Sequence, residues 1–304
     1  MLCAIHLVAP GMLRSLTLDG SSESAALLEA LAQDGACTHL RSLTITVSDT
    51  VIDPLLLILE CCPALETLQL SGSTSIPVDT LPPSTAPALR SFTGPHAFAK
   101  AFTTGRSLVS VHLLGFSTAT IRALPATLRT LSVEVPVACA HKIIALVSQR
   151  FSALEELTLT LLAVNEEEEE PLPDASTDAG YHAQVSRLIW LIKMRNVKQE
   201  PFAPVLESLD SHPFSLPPAL VTLRLRAARE DSGSVPLEPH SLTFPIEMQR
   251  RLVRAMALAP SGSGSVPLRR IVLGYVDGDW VRLEVDGGGW REIHTGEDIS
   301  PGDE

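Results

Sequence analysis

The chain has 304 residues, a formal net charge of −12 and 45% hydrophobic residues, while Phe, Trp and Tyr together make up 4%. Four scattered lysines and an acidic balance exclude the clustered positive charge that nucleic acid or an anionic membrane surface requires. No uncharged apolar stretch approaches the length of a membrane-spanning helix. A core rich in leucine and poor in large rings favours many small repeated layers.

Cysteine usage indicates a reducing compartment. The five cysteines are an odd number without a repeated spacing, and neither asparagine stands in an Asn-x-Ser/Thr sequon. The apolar start of the chain, residues 1–10, carries no positive side chain and runs directly into the first repeat, so we expect no signal peptide. These features predict a cytoplasmic or nuclear protein.

One pattern recurs from the start of the chain: Leu-x-x-Leu-x-Leu, with Ile, Val or Phe allowed at the second and third apolar places. The first seven copies begin 27, 25, 24, 19, 20 and 26 residues apart, in or near the period of roughly 20–29 residues of leucine-rich repeats. One copy is weak, because Gly94 occupies its third apolar place. The nine copies begin at Leu13, Leu40, Leu65, Leu89, Leu108, Leu128, Leu154, Leu220 and Leu268.

Within each copy the second and third apolar places have the period of two of a strand, which puts them on one face. Helical spacing follows in residues 21–36, 54–59 and 141–151. Alternating strands and helices at this short period imply a solenoid. We therefore predict an α/β leucine-rich-repeat domain over residues 1–275, with parallel strands on the concave face and helices or irregular segments on the convex face.

The ninth place of each copy lacks the Asn ladder that is common in leucine-rich repeats. Ser21, Ser48 and Ser73 stand there in the first three copies, and serine can replace part of the ladder. The later copies must satisfy their backbone groups in another way. We expect irregular geometry in those later turns.

The second half of the chain is interrupted. An acidic, proline-flanked stretch at about residues 165–180 predicts a disordered insert, with a docking site for a basic partner as the alternative. An amphipathic helix is expected over residues 181–197, and flexible loops at about residues 229–240 and 260–266.

The end of the chain changes period. Alternating residues around Asp286-Gly287-Gly288-Gly289 predict a β-hairpin over residues 276–294 that caps the last repeat. The alternative is an aromatic binding patch that includes Trp280 and Trp290. Residues 295–304 are expected to form a disordered tail.

The run Cys61-Cys62-Pro63-Ala64-Leu65 resembles the start of repeats in F-box leucine-rich-repeat proteins of the fungal type, and Pro87-Ala88-Leu89 and Pro218-Ala219-Leu220 echo it. The resemblance implies that the repeats hold a substrate protein of a ubiquitin ligase, while an upstream F-box docks on the ligase adaptor. No F-box is recognisable before Leu13, so the adaptor is an expected partner only if that module lies upstream. The alternative is a free-standing structural or interaction protein, or a gene fragment, with no ligase role.

Two rows of side chains are candidates for binding a protein partner. Arginines recur directly after the first leucine of a copy and would form a stripe for an acidic segment; surface arginines lying over strand ends are the alternative. The outward residue between the second and third apolar places is mostly Thr or Ser, which also suits strand propensity. The candidates are Arg14, Arg41, Arg90, Arg129, Arg269, Thr44, Gln69, His112, Ser132 and Thr158.

No catalytic, cofactor-binding or metal-ligating pattern accompanies the repeats. The sequence lacks His-Glu-x-x-His, paired Cys-x-x-Cys and Gly-x-Ser-x-Gly, so we expect no catalytic residue, cofactor or metal. The vicinal Cys61 and Cys62 precede a repeat leucine, which favours core packing over a redox or metal pair. The sequence thus predicts a non-enzymatic scaffold for protein–protein interaction.

Overall fold

A computed structural model describes residues 13–35, 37–72, 81–136, 139–162, 216–227, 268–275, 278–286 and 289–294. The predicted acidic insert (165–180), the helix at 181–197, the loops at 229–240 and 260–266 and the tail at 295–304 lie outside the described residues. Backbone contacts divide the chain into two compact units. The first unit comprises Met1–Val133 and Arg150–Leu154, and the second comprises Glu134–Gln149 and Glu155–Glu304.

Six strands of the first unit run parallel and pair in chain order, which confirms the prediction of a mixed α/β fold with a parallel sheet. Their register joins the same place of successive repeats: Leu16 pairs with Leu43, Leu43 with Leu68 and Leu68 with Phe92. The strands are β1 (Ser15–Leu18), β2 (Ser42–Val47), β3 (Thr67–Gly72), β4 (Ser91–Pro95), β5 (Ser110–Leu114) and β6 (Thr130–Pro136, which crosses into the second unit after Val133).

Backbone hydrogen bonds directly before each strand set the register of the parallel sheet. The backbone amides of Arg41 and Ser42 both donate to the carbonyl of Arg14, at 2.8 and 3.0 Å, and the same doubled hydrogen bond recurs at each following strand of the first unit. A tight turn precedes it, in which the amide of Leu40 donates to the carbonyl of Cys37 at 3.1 Å. This turn directs Leu40 inward, where it is 0% exposed, and equivalent turns precede the buried Leu65, Leu89 and Leu128.

Four helices of the first unit lie between these strands: α1 (Ser22–Gln33), α2 (Ile52–Glu60), α3 (His96–Thr103) and α4 (Thr118–Ala123). Ser21 caps α1 by accepting from the amide of Ser24 at 3.3 Å, a standard way to satisfy an amide of the first helical turn. The apolar side of each helix is buried, as at Leu28 and Leu55. Full burial of one leucine contributes about 1.5–3 kcal/mol, so these layers stabilise the stack.

The weak fourth repeat has a packing explanation. Phe92 replaces leucine at the second apolar place and stacks on Phe102 with ring centroids 5.7 Å apart. A Cβ added at Gly94 would lie 3.0 Å from the Phe92 ring and 3.1 Å from Leu70 Cβ. The missing third apolar side chain therefore makes room for the larger ring.

The described residues of the second unit form α5 (Ala140–Arg150, whose last residue belongs to the first unit) and five further strands. Three of them pair in parallel at equivalent places, Leu157 with Leu223 and Leu223 with Ile271. The last strands pair antiparallel, with a register shift between Asp279 and Val281. The strands are β7 (Glu156–Leu162), β8 (Thr222–Ala227), β9 (Arg270–Tyr275), β10 (Gly278–Asp286) and β11 (Gly289–His294).

Candidate interaction surface

One row of predicted binding residues lies together in the first unit, on the sheet face opposite the leucines. Thr44 pairs in register with Gln69, and further along the sheet His112 pairs with Ser132. All four side chains are half-buried or exposed, and Thr44 Oγ1 donates to Gln69 Oε1 at 3.4 Å. The row therefore presents hydrogen-bonding groups on an accessible face.

A second hydroxyl row lies beside it, which the sequence reasoning missed. The first residue of every strand from β1 to β6 is Ser or Thr, and these residues pair across the sheet in one line. Their recurrence directly before the second apolar place was visible in the sequence. The members are Ser15, Ser42, Thr67, Ser91, Ser110 and Thr130. Together the two rows make the open face of the first unit, which we call the hydroxyl face.

The predicted arginine row borders the hydroxyl face where the strands begin. Arg14, Arg41, Arg90 and Arg129 are all exposed. Two other residues interrupt the row at intermediate strands: Glu66 precedes β3 and Val109, which is 39% exposed, precedes β5. Arg41 Nη1 lies 3.3 Å from Glu66 Oε1, and both side chains are about half exposed at 58% and 46%. The arginine row is therefore discontinuous, with arginines directly before β1, β2, β4 and β6.

At the opposite end of β1 and β2, polar side chains hold the turns. Asp19 Oδ1 accepts from Ser24 Oγ at 2.6 Å and from Ser21 Oγ at 2.7 Å, and these hydrogen bonds hold the pKa of the Asp19 carboxyl below its usual range. Ser48 Oγ donates to the carbonyl of Gly20 at 3.1 Å, one repeat earlier. Ser48 thus bonds the preceding repeat from the ninth place, where other leucine-rich repeats commonly carry Asn.

The second unit places its predicted residues differently. Thr158 is 8% exposed and Val272, at the same place of β9, is 0% exposed. Arg224 Nε donates to Glu156 Oε1 at 2.7 Å on the same face. The proposal of Thr158 as a binding residue is therefore corrected, because its side chain is not accessible. Arg269 is exposed, but it belongs to the second unit and not to the row of four arginines.

A buried arginine, Arg106, was not singled out by the repeat pattern. It is 6% exposed, and its guanidinium donates only to backbone carbonyls: to Thr85 and Pro82 at 2.9 Å and to Ala101 at 3.1 Å, with weaker bonds to Thr104 and again to Thr85. Burial lowers the pKa of Arg106. These contacts join the turn before β4 to the end of α3, so Arg106 has a structural role.

Two thiols meet in the core at equivalent places of the second and third repeats. Cys37 and Cys62 each stand three residues before the first leucine of a copy, and both are 0% exposed. Hydrogen bonding between the two thiols lowers the pKa of Cys37, and the same contact together with burial raises the pKa of Cys62. Cys61 is half-buried, and its thiol donates to the carbonyl of Ala32 at 3.7 Å. The two equivalent thiols thus contribute to the packing between repeats.

Across the part of the chain that the structure describes, no three or more His, Cys, Asp or Glu side chains are grouped so as to hold a metal ion. Within the same described ranges, every helix is too short or too polar to cross a bilayer. Comparison with protein-family models, with curated proteins and with solved structures finds no match. The hydroxyl face and its arginine border are therefore interpreted from their own chemistry.

Proposed function

We propose that this chain is a non-enzymatic leucine-rich-repeat scaffold that binds another protein through the hydroxyl face of its first unit. The single observation that carries the proposal is the contrast between the two faces of that sheet. One face buries the repeat leucines under helices, and the other leaves two aligned rows of hydroxyl, amide and imidazole groups accessible. Repeat proteins generally bind through such an extended strand face.

The finer architecture belongs to the same proposal. Equivalent places of successive repeats pair in register in each unit, which supports a solenoid with strands on its concave side. The antiparallel strands β10 and β11 follow the last parallel strand, β9. That arrangement supports a C-terminal hairpin that caps the final repeat, since terminal repeats need a cover for their apolar edge.

Within this function, the role of substrate receptor for a ubiquitin ligase rests on the resemblance carried by Cys61-Cys62-Pro63-Ala64-Leu65. It requires an F-box upstream of these repeats, and a cytoplasmic or nuclear location would accompany it. An in-frame F-box in the source transcript, together with binding of that longer protein to the ligase adaptor, would support the role. A free-standing interaction protein is the alternative, and it predicts no adaptor binding.

The scaffold function is tested by site-specific photo-crosslinking. A crosslinking residue replaces Gln69 on the hydroxyl face or, as the matched control, Glu60 on the exposed side of α2. We expect a discrete protein adduct from position 69 and none from position 60. The captured protein, made recombinantly, should bind the Gln69→Arg variant at least tenfold more weakly than it binds the Glu60→Arg variant. Equal adducts from both positions, or equal affinities of the two variants, would refute the proposal.

A further inference from the structure

We propose that the arginine row of the first unit binds an acidic segment of the partner in the polyproline-II conformation, with an acidic side chain at every third residue. This inference rests on the proposed function, because it assigns the partner chemistry of the same surface. Its basis is the alternation along the row. Arg41, Arg90 and Arg129 precede β2, β4 and β6, whereas Glu66 and Val109 precede the strands between them.

The spacing follows from the backbone. Each residue of the row donates its amide to the carbonyl of the one before: Glu66 to Arg41 at 2.9 Å, Arg90 to Glu66 at 2.9 Å, Val109 to Arg90 at 2.8 Å and Arg129 to Val109 at 3.0 Å. Hydrogen-bonded strands lie about 4.8 Å apart. Arginines on alternate strands therefore recur at roughly 9.6 Å, or twice the strand spacing.

Of the regular peptide conformations, polyproline II matches this distance. It rises about 3.1 Å per residue with three residues per turn, so side chains on one side recur at about 9.3 Å. In an extended β-strand, side chains on one face recur at about 6.8 Å. In an α-helix they recur at about 5.4 Å per turn. Two helical turns rise about 10.8 Å and exceed the arginine spacing by about 1.2 Å at each interval, whereas polyproline II differs from it by about 0.3 Å. Polyproline II therefore keeps three carboxylates opposite the three arginines best.

The residues between the arginines favour the same pattern. The Glu66 carboxylate would repel an acidic residue placed opposite β3, whereas Val109 offers an apolar contact to a neutral residue such as proline. The Arg41–Glu66 ion pair is solvent-exposed on both sides, and exposed pairs are weak enough for a partner carboxylate to compete for Arg41. Arg14, one strand before Arg41, adds a second donor near the first carboxylate.

The adjoining hydroxyl row completes the recognition. Polyproline II has no internal hydrogen bonds, so the backbone carbonyls of such a peptide need external donors. Ser42, Ser91 and Thr130 stand directly after the three arginines, and their hydroxyls can donate to a peptide laid along the row. Charge fixes the register of the partner, and the hydroxyls bind its backbone.

Two synthetic peptides of identical composition test the spacing. The first is Glu-Pro-Pro-Glu-Pro-Pro-Glu, and the second groups the same three glutamates as Pro-Pro-Glu-Glu-Glu-Pro-Pro. Titration of the full chain at low ionic strength, read by NMR from the arginine Nε–H resonances, gives both affinities. An exposed ion pair contributes about two- to fivefold, so we expect the spaced peptide, which engages all three arginines, to bind roughly five- to tenfold more tightly.

Matched variants assign the effect to the row. Arg90→Gln should weaken the spaced peptide by about two- to fivefold and reduce its advantage over the grouped peptide. Arg122→Gln, the same change on the exposed side of α4, should alter neither affinity. Equal affinities of the two peptides for the natural chain, equal effects of the two variants, or equally tight binding of a single-stranded oligonucleotide would overturn the inference. If the crosslinked partner still responds to Gln69→Arg in that case, the scaffold function stands and only the spacing is wrong.

Discussion

The buried guanidinium of Arg106 gives the most direct test of how the first unit is held together. Replacement by methionine keeps an unbranched side chain of similar length and removes every donor. Four carbonyls then lose the guanidinium as a donor, those of Pro82, Thr85, Ala101 and Thr104. Two of them keep a backbone donor: the Thr85 amide donates to the Pro82 carbonyl at 3.0 Å, and the Leu81 amide donates to the Ala101 carbonyl at 3.4 Å. Pro82 and Thr104 are exposed residues whose carbonyls can turn to water, whereas Thr85 and Ala101 are buried. The cost of the substitution therefore depends mainly on the buried Thr85 carbonyl, which accepts two hydrogen bonds from the guanidinium.

A buried acceptor without a donor costs about 1–3 kcal/mol, and the weakened Ala101 carbonyl adds a smaller loss. Methionine avoids the desolvation of a charge, which offsets part of this loss. We expect Arg106→Met to lower the free energy of unfolding of the first unit by about 2 kcal/mol. The free energy of unfolding of Arg106→Lys should lie between those of the natural chain and of Arg106→Met, since one ammonium group cannot reach the acceptors on both sides of the guanidinium fork.

The assay is urea titration read by hydrogen exchange of peptides from residues 81–114, because these peptides report the first unit alone. Arg122→Met is the matched control, an exposed arginine on the neighbouring helix whose loss should cost under about 0.5 kcal/mol. If Arg106→Met is as stable as this control, the five carbonyl contacts do not stabilise the fold and the reasoning fails.

Three further predictions concern local features. Gly72→Ala should destabilise the fold more than Gly35→Ala. Both glycines have positive φ, but an added Cβ would lie 2.5 Å from the Val47 carbonyl at Gly72 and would meet nothing within 4 Å at Gly35. Equal urea midpoints of the two variants would contradict this. The start of α1 should lose exchange protection as the pH falls below 3.8, the ordinary pKa of the Asp19 carboxyl, and Asp19→Asn should abolish that pH dependence. Thr158→Arg should destabilise by about 3 kcal/mol, whereas Thr44→Arg should leave the urea midpoint nearly unchanged.

The structure of the first unit agrees closely with the prediction from the sequence, because its repeats follow one another at short intervals. Period-two spacing around Leu43 and Leu68 predicted the strands, and a capped apolar stretch predicted α1. In contrast, α3 and α4 have eight and six residues. Such short segments show too few turns for a helical period to stand out, and their place becomes evident only from the packing of Phe102 and Ile121 in the core.

The burial of Arg106 could not be predicted for a different reason. The repeat pattern identifies residues that recur at the same place of successive copies. Arg106 occurs once, in a turn where arginine is ordinarily exposed, so the pattern does not single it out. Its burial depends on four carbonyls that come together only when the turn before β4 meets the end of α3. Cys37 and Cys62 do occupy equivalent places, so their contact could have been read from the alignment of the second and third repeats.

The difference between Thr44 and Thr158 shows what decides whether a repeat can bind. Both are threonines at the same place of the pattern, yet only Thr44 is accessible. The neighbouring residues distinguish the two positions, since Glu156, Arg224 and Val272 stand beside Thr158 on this face of the second unit. A valine needs burial there, and opposite charges that are partly withdrawn from water must pair, as Arg224 and Glu156 do at 2.7 Å. A row of hydroxyls, by contrast, is stable while facing water, and for that reason we assign binding to the first unit.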